Sequence, residues 1–130
     1  MTRHPLETLI EQADAAITRE DFDTLMAIYA EDAVLVVKPG LEARGRAQIR
    51  TAFEAIADHF GHSLEVQQAG MTILEGGDTA LVLARTVISA TTLPPTVRNA
   101  TYVFRRGPGA GWRCVIDNSY GHDLMIPEED

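Results

Sequence analysis

Residues 21–60 read DFDTLMAIYAEDAVLVVKPGLEARGRAQIRTAFEAIADHF, and their periodicity decides the fold. Asp21 has the acceptor side chain that caps a helix N-terminus. Behind it Phe22, Leu25, Met26 and Tyr29 recur at helical spacing, and Glu31-Asp32 mark the expected end of that helix. Val34, Leu35, Val36 and Val37 then form an aliphatic, mostly β-branched run, the composition of a buried strand stopped by Pro39-Gly40. Gly45 with Gln48 three residues on opens a third helix in a loose capping arrangement. Ile49, Ala52, Phe53, Ile56, Ala57 and Phe60 give it the cleanest apolar stripe in the chain, and Gly61 is placed to end it in a left-handed conformation.

Upstream, Leu6, Leu9, Ile10, Ala13 and Ile17 predict an amphipathic helix over residues 6–17, with Pro5 in the first turn where its missing N–H costs nothing. From Ser63 onward the period becomes strand-like. Residues 64–74 predict one long strand bent or bulged at Gly70, Gly76-Gly77-Asp78 a hairpin turn, and residues 79–90 a second long strand. A loop is expected through Pro94-Pro95. Residues 98–106 and 111–120 are two further strands, joined by Gly107-Pro108-Gly109-Ala110. Helices followed by an antiparallel sheet predict an α+β architecture, with a curved sheet wrapped around three N-terminal helices and a pocket at its open end. One domain is expected over residues 1–130, with a core of about 6–121 and an acidic tail over 122–130.

The composition, 45% hydrophobic and 23% charged, is that of an ordinary globular chain. A net charge of −8 with scattered arginines argues against nucleic acid and against an anionic membrane surface as partners. Glu128, Glu129 and Asp130 contribute to that charge as a solvated end. A single cysteine, Cys114, allows no intrachain disulfide, and its place between Arg113 and Val115 in an apolar run makes it a buried hydrophobe, not a nucleophile. The N-terminus has no apolar signal-peptide core, and no run approaches the ~18 apolar residues of a membrane-spanning helix, so a cytoplasmic location is expected. His59 and His62 have an HxxH spacing, but Gly61 interrupts the helix between them and no third ligand is evident, so no metal and no cofactor are expected. The run Gly107-Pro108-Gly109-Ala110-Gly111 joins two strands and lacks the Lys-Ser/Thr ending of a phosphate loop.

Four segments carry a resemblance: Asp21-Phe22-Asp23, Tyr29-Ala30-Glu31-Asp32-Ala33, Gly45-Arg46-Ala47-Gln48-Ile49 and Gly111-Trp112-Arg113. In this order, over nearly the whole chain, they resemble the nuclear transport factor 2-like superfamily, of the SnoaL-like or ketosteroid isomerase-like branch. The resemblance implies a cone-shaped domain that forms a homodimer through the outer sheet face. The strand over 79–90 agrees with that use. Leu81, Leu83 and Val87 face one way while Ala80, Val82, Ala84 and Ile88 face the other, so both faces are apolar and a second subunit is expected on the outer one. Activity is not implied, because this fold hosts isomerases, cyclases, dehydratases, hydrolases, transport factors and oligomerisation domains.

Ketosteroid isomerases place a carboxylate base on the strand after the second helix and a tyrosine donor on the first helix. Here Val34, Leu35, Val36, Val37 and Lys38 hold no acid, and residues 10–17 hold no tyrosine, so neither role carries over. The last strand is the best remaining place for a site. Simple alternation puts Trp112, Cys114, Ile116, Asn118 and Tyr120 on the inner face, and Arg113, Val115, Asp117 and Ser119 on the outer one. Tyr29, Tyr102, Trp112 and Asn118 are therefore the expected ligand-lining residues. Asn118, Tyr120 and Asp117 are the candidate catalytic groups, Asp117 only if a bulge slips the parity by one residue. Otherwise Asp117 faces the dimer interface, opposite Arg85 or Arg113. Two functions stay open: a homodimer that binds a small, largely apolar molecule in the cone with weak isomerase- or cyclase-like acid–base chemistry, or a protein-interaction module without a ligand.

Overall fold

The computed structural model describes residues 3–109 and 111–125. Ala110 of the expected hairpin loop and residues 126–130 of the acidic tail lie outside the described residues. The chain runs α1 (Pro5–Thr18), α2 (Phe22–Ile28), β1 (Tyr29–Lys38), β2 (Leu41–Arg44), α3 (Gly45–His59), β3 (Glu65–Gly76), β4 (Thr79–Ala90), β5 (Leu93–Arg106), β6 (Trp112–Asn118) and a short 3-10 turn (Gly121–Leu124). The six strands form one open sheet in the order β2-β1-β6-β5-β4-β3, antiparallel except where β1 runs parallel to β6. This is the α+β arrangement of three helices and a curved, unclosed sheet.

The helices start where the capping chemistry puts them. Asp21 accepts the Thr24 N–H at 3.2 Å and the Thr24 hydroxyl at 2.7 Å, which opens α2. Gln48 reaches back to accept the Arg44 N–H at 2.9 Å, so the cap of α3 is Arg44, one residue before the Gly45 that the sequence suggested. The apolar stripes of α1 and α3 turn onto the concave face of the sheet, where Leu6, Leu25, Ile49 and Val82 are fully buried. Truncating any of the leucines to alanine would cost about 2–5 kcal/mol, the range for deleting a buried aliphatic side chain.

Three features differ from the sequence expectation. The second helix stops at Ile28, and Tyr29 already belongs to a strand, because its backbone pairs with Cys114 of β6. Arg46 of α3 fixes that junction by donating to the Tyr29 carbonyl from Nε at 2.9 Å and from Nη2 at 2.7 Å. The hairpin strand β2 was not foreseen. The third difference is that Pro94 and Pro95 lie inside β5 rather than in a loop. They fall where the β4–β5 register is irregular, between the Ile88–Thr96 and Ala90–Leu93 pairs, and β6 pairs with β5 only from Thr101 onward. A missing N–H is tolerated at such a place.

Gly70 is the bulge the sequence suggested: its φ is +132° and the β3–β4 register shifts between Gln68 and Met71. On β4 the two faces divide as expected, with Ala80, Val82, Ala84 and Thr86 buried and Leu83 and Arg85 exposed. No helix among the described residues is long and apolar enough to cross a membrane.

Candidate functional site

A second irregularity, in β6, decides the site. Val103 of β5 pairs with Ile116, but Phe104 pairs with Cys114, so Val115 is an extra residue without a partner. Such a bulge slips the in–out alternation by one. Trp112 and Cys114 point inward before it, as alternation requires, while beyond it Ile116 turns to the outer face and Asp117 turns to the inner one. The inward placement expected for Ile116 is thereby corrected. Asp117 makes no pair with Arg85 or Arg113; its Oδ2 accepts the Tyr29 hydroxyl at 2.5 Å.

Asp117 lies in the wall of a cavity of about 200 Å³ between the helices and the concave sheet. Ile10, Leu35, Phe53, Ile56, Ile88 and Phe104 supply much of its apolar lining, and Tyr29, Tyr102 and Tyr120 are the tyrosines on it. Trp112 and Asn118 do not line it. Trp112 is packed in the core beneath the Arg106 guanidinium, 4.8 Å from the ring centroid. Asn118 spends its amide locally, accepting the Tyr120 N–H at 3.0 Å and donating to the Gly121 carbonyl at 3.1 Å. Its side chain thus shapes the chain after β6. Tyr120 lies at the cavity edge and donates its hydroxyl to the Val37 carbonyl at 3.0 Å.

Sequence reasoning missed a second carboxyl. Asp14 of α1 is only 8% exposed and lines the same cavity. The signal was present: Asp14 stands between Ile10 and Ile17 at helical spacing, a charge on an apolar stripe. Its Oδ2 accepts from Gln68 Nε2 at 2.8 Å, the same amide lies 3.3 Å from the Thr86 hydroxyl, and that hydroxyl lies 3.3 Å from the Tyr102 hydroxyl. The chain Asp14–Gln68–Thr86–Tyr102 crosses from α1 to β3, β4 and β5. The other amide atom, Gln68 Oε1, is buried without a hydrogen-bond partner among the described residues.

Burial controls the protonation of this wall. It pushes the Asp14 carboxyl up to about 7, against the Gln68 hydrogen bond and with help from the charges of Asp117 and Glu11. It also pushes Asp117 up to about 6, and the Tyr29 hydrogen bond limits that rise. Tyr29 and Tyr102 are held above the ordinary phenol range, first by burial and then by the Asp117 charge, so both remain protonated donors near neutral pH. Burial likewise pushes the Cys114 thiol up, which keeps it from acting as a thiolate. Elsewhere, His62 bonds Glu20 and Asp58 while the His59 ring packs edge-on against Phe60. No group of three or more His, Cys, Asp or Glu among the described residues is arranged to hold a metal ion.

An open curved sheet over three helices, with ionisable groups facing an apolar cavity, defines the cystatin-like, nuclear transport factor 2-like class of α+β proteins. The SnoaL-like domain family matches residues 6–117, and the chain belongs to that family. Solved structures agree on the fold. An NTF2-like protein of unknown function from Pseudomonas putida KT2440 is 22% identical, with 86% of this chain and 80% of that one covered and a TM-score of 0.75. A protein of unknown function with a cystatin-like fold from Nostoc punctiforme PCC 73102 is 18% identical over 90% of this chain and 92% of that one, with a TM-score of 0.74. A proposed dehydratase of the NTF2-like family from Streptomyces avermitilis is 22% identical over 87% and 91%, with a TM-score of 0.69. No curated protein matches the chain.

Proposed function

We infer that the chain binds a small, largely apolar molecule in the cavity and moves a proton on it. The observation that carries this is the pairing of Asp117 and Asp14 on one apolar wall, their carboxyls raised to about 6 and about 7. Carboxyls in that range exchange protons near neutral pH with little penalty in either direction. Asp117, the lower of the two, is the base: it takes a proton from a carbon next to a carbonyl of the bound molecule. Asp14 is the acid that returns a proton at a second position, and the Tyr102 hydroxyl is the donor available to developing oxygen charge, since the Tyr29 hydroxyl is spent on Asp117. Proton relocation of this kind completes an isomerisation or a ring closure. Proton abstraction is also the first requirement of water elimination, the chemistry suggested for the Streptomyces avermitilis structure. Asn118 has no part in this reading beyond holding the chain at Tyr120.

The outer sheet face supports a homodimer. Leu74, Leu83, Val97 and Ile116 are each between 43% and 56% exposed there, and contiguous exposed apolar surface marks an interaction site. A non-catalytic interaction module would use the same face but would give no role to two carboxyls buried at a cost in the cavity wall.

The test is solvent exchange. Bicyclic ketones such as 2-tetralone, incubated with the protein in deuterated buffer, are expected to lose α-protons faster than in buffer alone, and Asp117→Asn is expected to lower that excess rate by about a hundredfold or more. An Asp117→Asn variant as fast as the parent would remove Asp117 as the base, and no excess rate across the series would favour the interaction module.

A further inference from the structure

Arg98 is the one cationic side chain among the described residues that line the cavity. Arg3, Arg19, Arg44, Arg46, Arg50 and Arg105 pair with acids, whereas no carboxylate of a described residue pairs with Arg85, Arg98, Arg106 or Arg113, and of these four Arg98 is the one that lines the cavity. Its charge is also not spent on the buried carboxyls, since the charges felt by Asp14 are those of Asp117 and Glu11, and Asp117 feels burial and the Tyr29 hydrogen bond. Half-buried guanidinium groups ordinarily have an anionic or carbonyl partner, because removing the charge from water is costly.

The position of Arg98 is built. Its backbone pairs with Thr86, whose side chain is buried against Tyr102, so Arg98 stands on the concave face. Its guanidinium lies 4.8 Å from the centroid of the Tyr120 ring, and the Tyr120 hydroxyl is anchored on the Val37 carbonyl. A guanidinium held over a ring face still has N–H groups at its edge that can donate. Arg98, Ser119 and Tyr120 line both the cavity and a groove of about 740 Å³ that also carries Arg85 and His122. They are therefore the rim between the two spaces.

We propose that Arg98 recognises a carboxylate on an otherwise apolar ligand, holding that group at the rim while the apolar body fills the cavity and its far end meets Asp117 and Asp14. The inference rests on the cavity being the ligand site, as proposed above. Charge sets the orientation. Among the described residues the inner wall carries two carboxyls and no cation, so an anionic head placed there would meet like charge in a poorly solvated space. At the rim it meets a planar fork whose two parallel N–H groups match two carboxylate oxygens. One guanidinium balances one carboxylate.

The test compares naphthalene-2-carboxylate with 2-acetylnaphthalene, a neutral ketone of the same skeleton, by calorimetric titration of the full chain at about pH 8, where Asp14 and Asp117 are ionised. The acid is expected to bind about tenfold tighter than the ketone, the worth of a charge-assisted hydrogen-bond pair. Arg98→Met, which keeps an apolar stem on Tyr120, is expected to abolish that preference, whereas Arg85→Gln is expected to keep it. Equal affinity for acid and ketone in the parent chain overturns the carboxylate assignment and leaves the cavity as a ligand site. An acid preference that survives in folded Arg98→Met also overturns it. No binding of either compound at millimolar concentration overturns the cavity reading and this inference with it. The comparison in the parent chain decides the matter even if the Arg98 variant fails to fold.

Discussion

Replacing Asp14 by asparagine should make the protein more stable at alkaline pH. Burial raises the Asp14 carboxyl from the ordinary 3.8 to about 7, so the folded chain holds this proton more tightly than the unfolded chain does. Stability therefore falls as pH rises through that window and levels off above it. A rise of about three pH units, at 1.36 kcal/mol per unit, corresponds to about 4 kcal/mol of lost stability once the group is ionised. Asparagine keeps the shape and an oxygen acceptor for Gln68 Nε2, and it removes the charge. Urea unfolding of parent and variant from pH 4 to pH 9 reads the difference directly. The two should be nearly equal at about pH 4, and the variant should gain steadily to roughly 4 kcal/mol near pH 8. Parallel pH profiles, or a parent that is the more stable protein at pH 8, would refute the assignment of Asp14 as a carboxyl buried at a cost. Tolerating that cost is what is expected of a group retained for function.

Tyr29→Phe removes the hydrogen bond that limits the rise of Asp117, so the Asp117 titration should move up by about one pH unit or more. Carbon-13 labelling of aspartate and an NMR titration read this without a substrate, and a midpoint that stays put or falls would contradict the proposed coupling. His62 is raised above the ordinary histidine value, first by its hydrogen bond to Glu20 and then by the Glu20 charge. Its contribution is full below about pH 6.5 and is lost as pH rises through the higher folded value; His62→Gln should therefore flatten that part of the stability profile, and an unchanged slope would show the contact to be inert. Leu83→Glu places like charges across the proposed dimer face and should raise the dimer dissociation constant by about a hundredfold or more. Sedimentation velocity showing an unaltered dimer would move the interface elsewhere.

Elements governed by local periodicity were legible in the sequence. The stripes of α1 and α3, the cap at Asp21, the Gly70 bulge and the turn at Gly76-Gly77-Asp78 all depend on residues near one another in the chain. The elements misread depend on partners far away. Tyr29 fits a helical stripe, yet it becomes strand because β6 and Arg46 claim its backbone. Pro94 and Pro95 look like loop residues until the β4–β5 register shows that their missing N–H groups fall at an irregular stretch. The inner face of β6 could not be read by alternation, since the extra residue Val115 is defined only by its opposition to β5. Asp14 is different: its place in an apolar stripe was visible, and its burial could have been inferred.

The bulge at Val115 makes the pairing of one short strand a determinant of the chemistry. Val115 takes no place opposite β5, so the residues after it keep the register that turns Asp117 toward Tyr29. Were the same residues to pair without a bulge, Val115 would stand opposite Val103, Ile116 would enter the cavity and Asp117 would leave for the outer surface. Deleting Val115 would instead let Cys114 run directly into Ile116 and would keep Asp117 facing inward. Within this fold, the number of residues between the counterparts of Cys114 and Asp117, together with how they pair, decides which chains present this acid to the cavity.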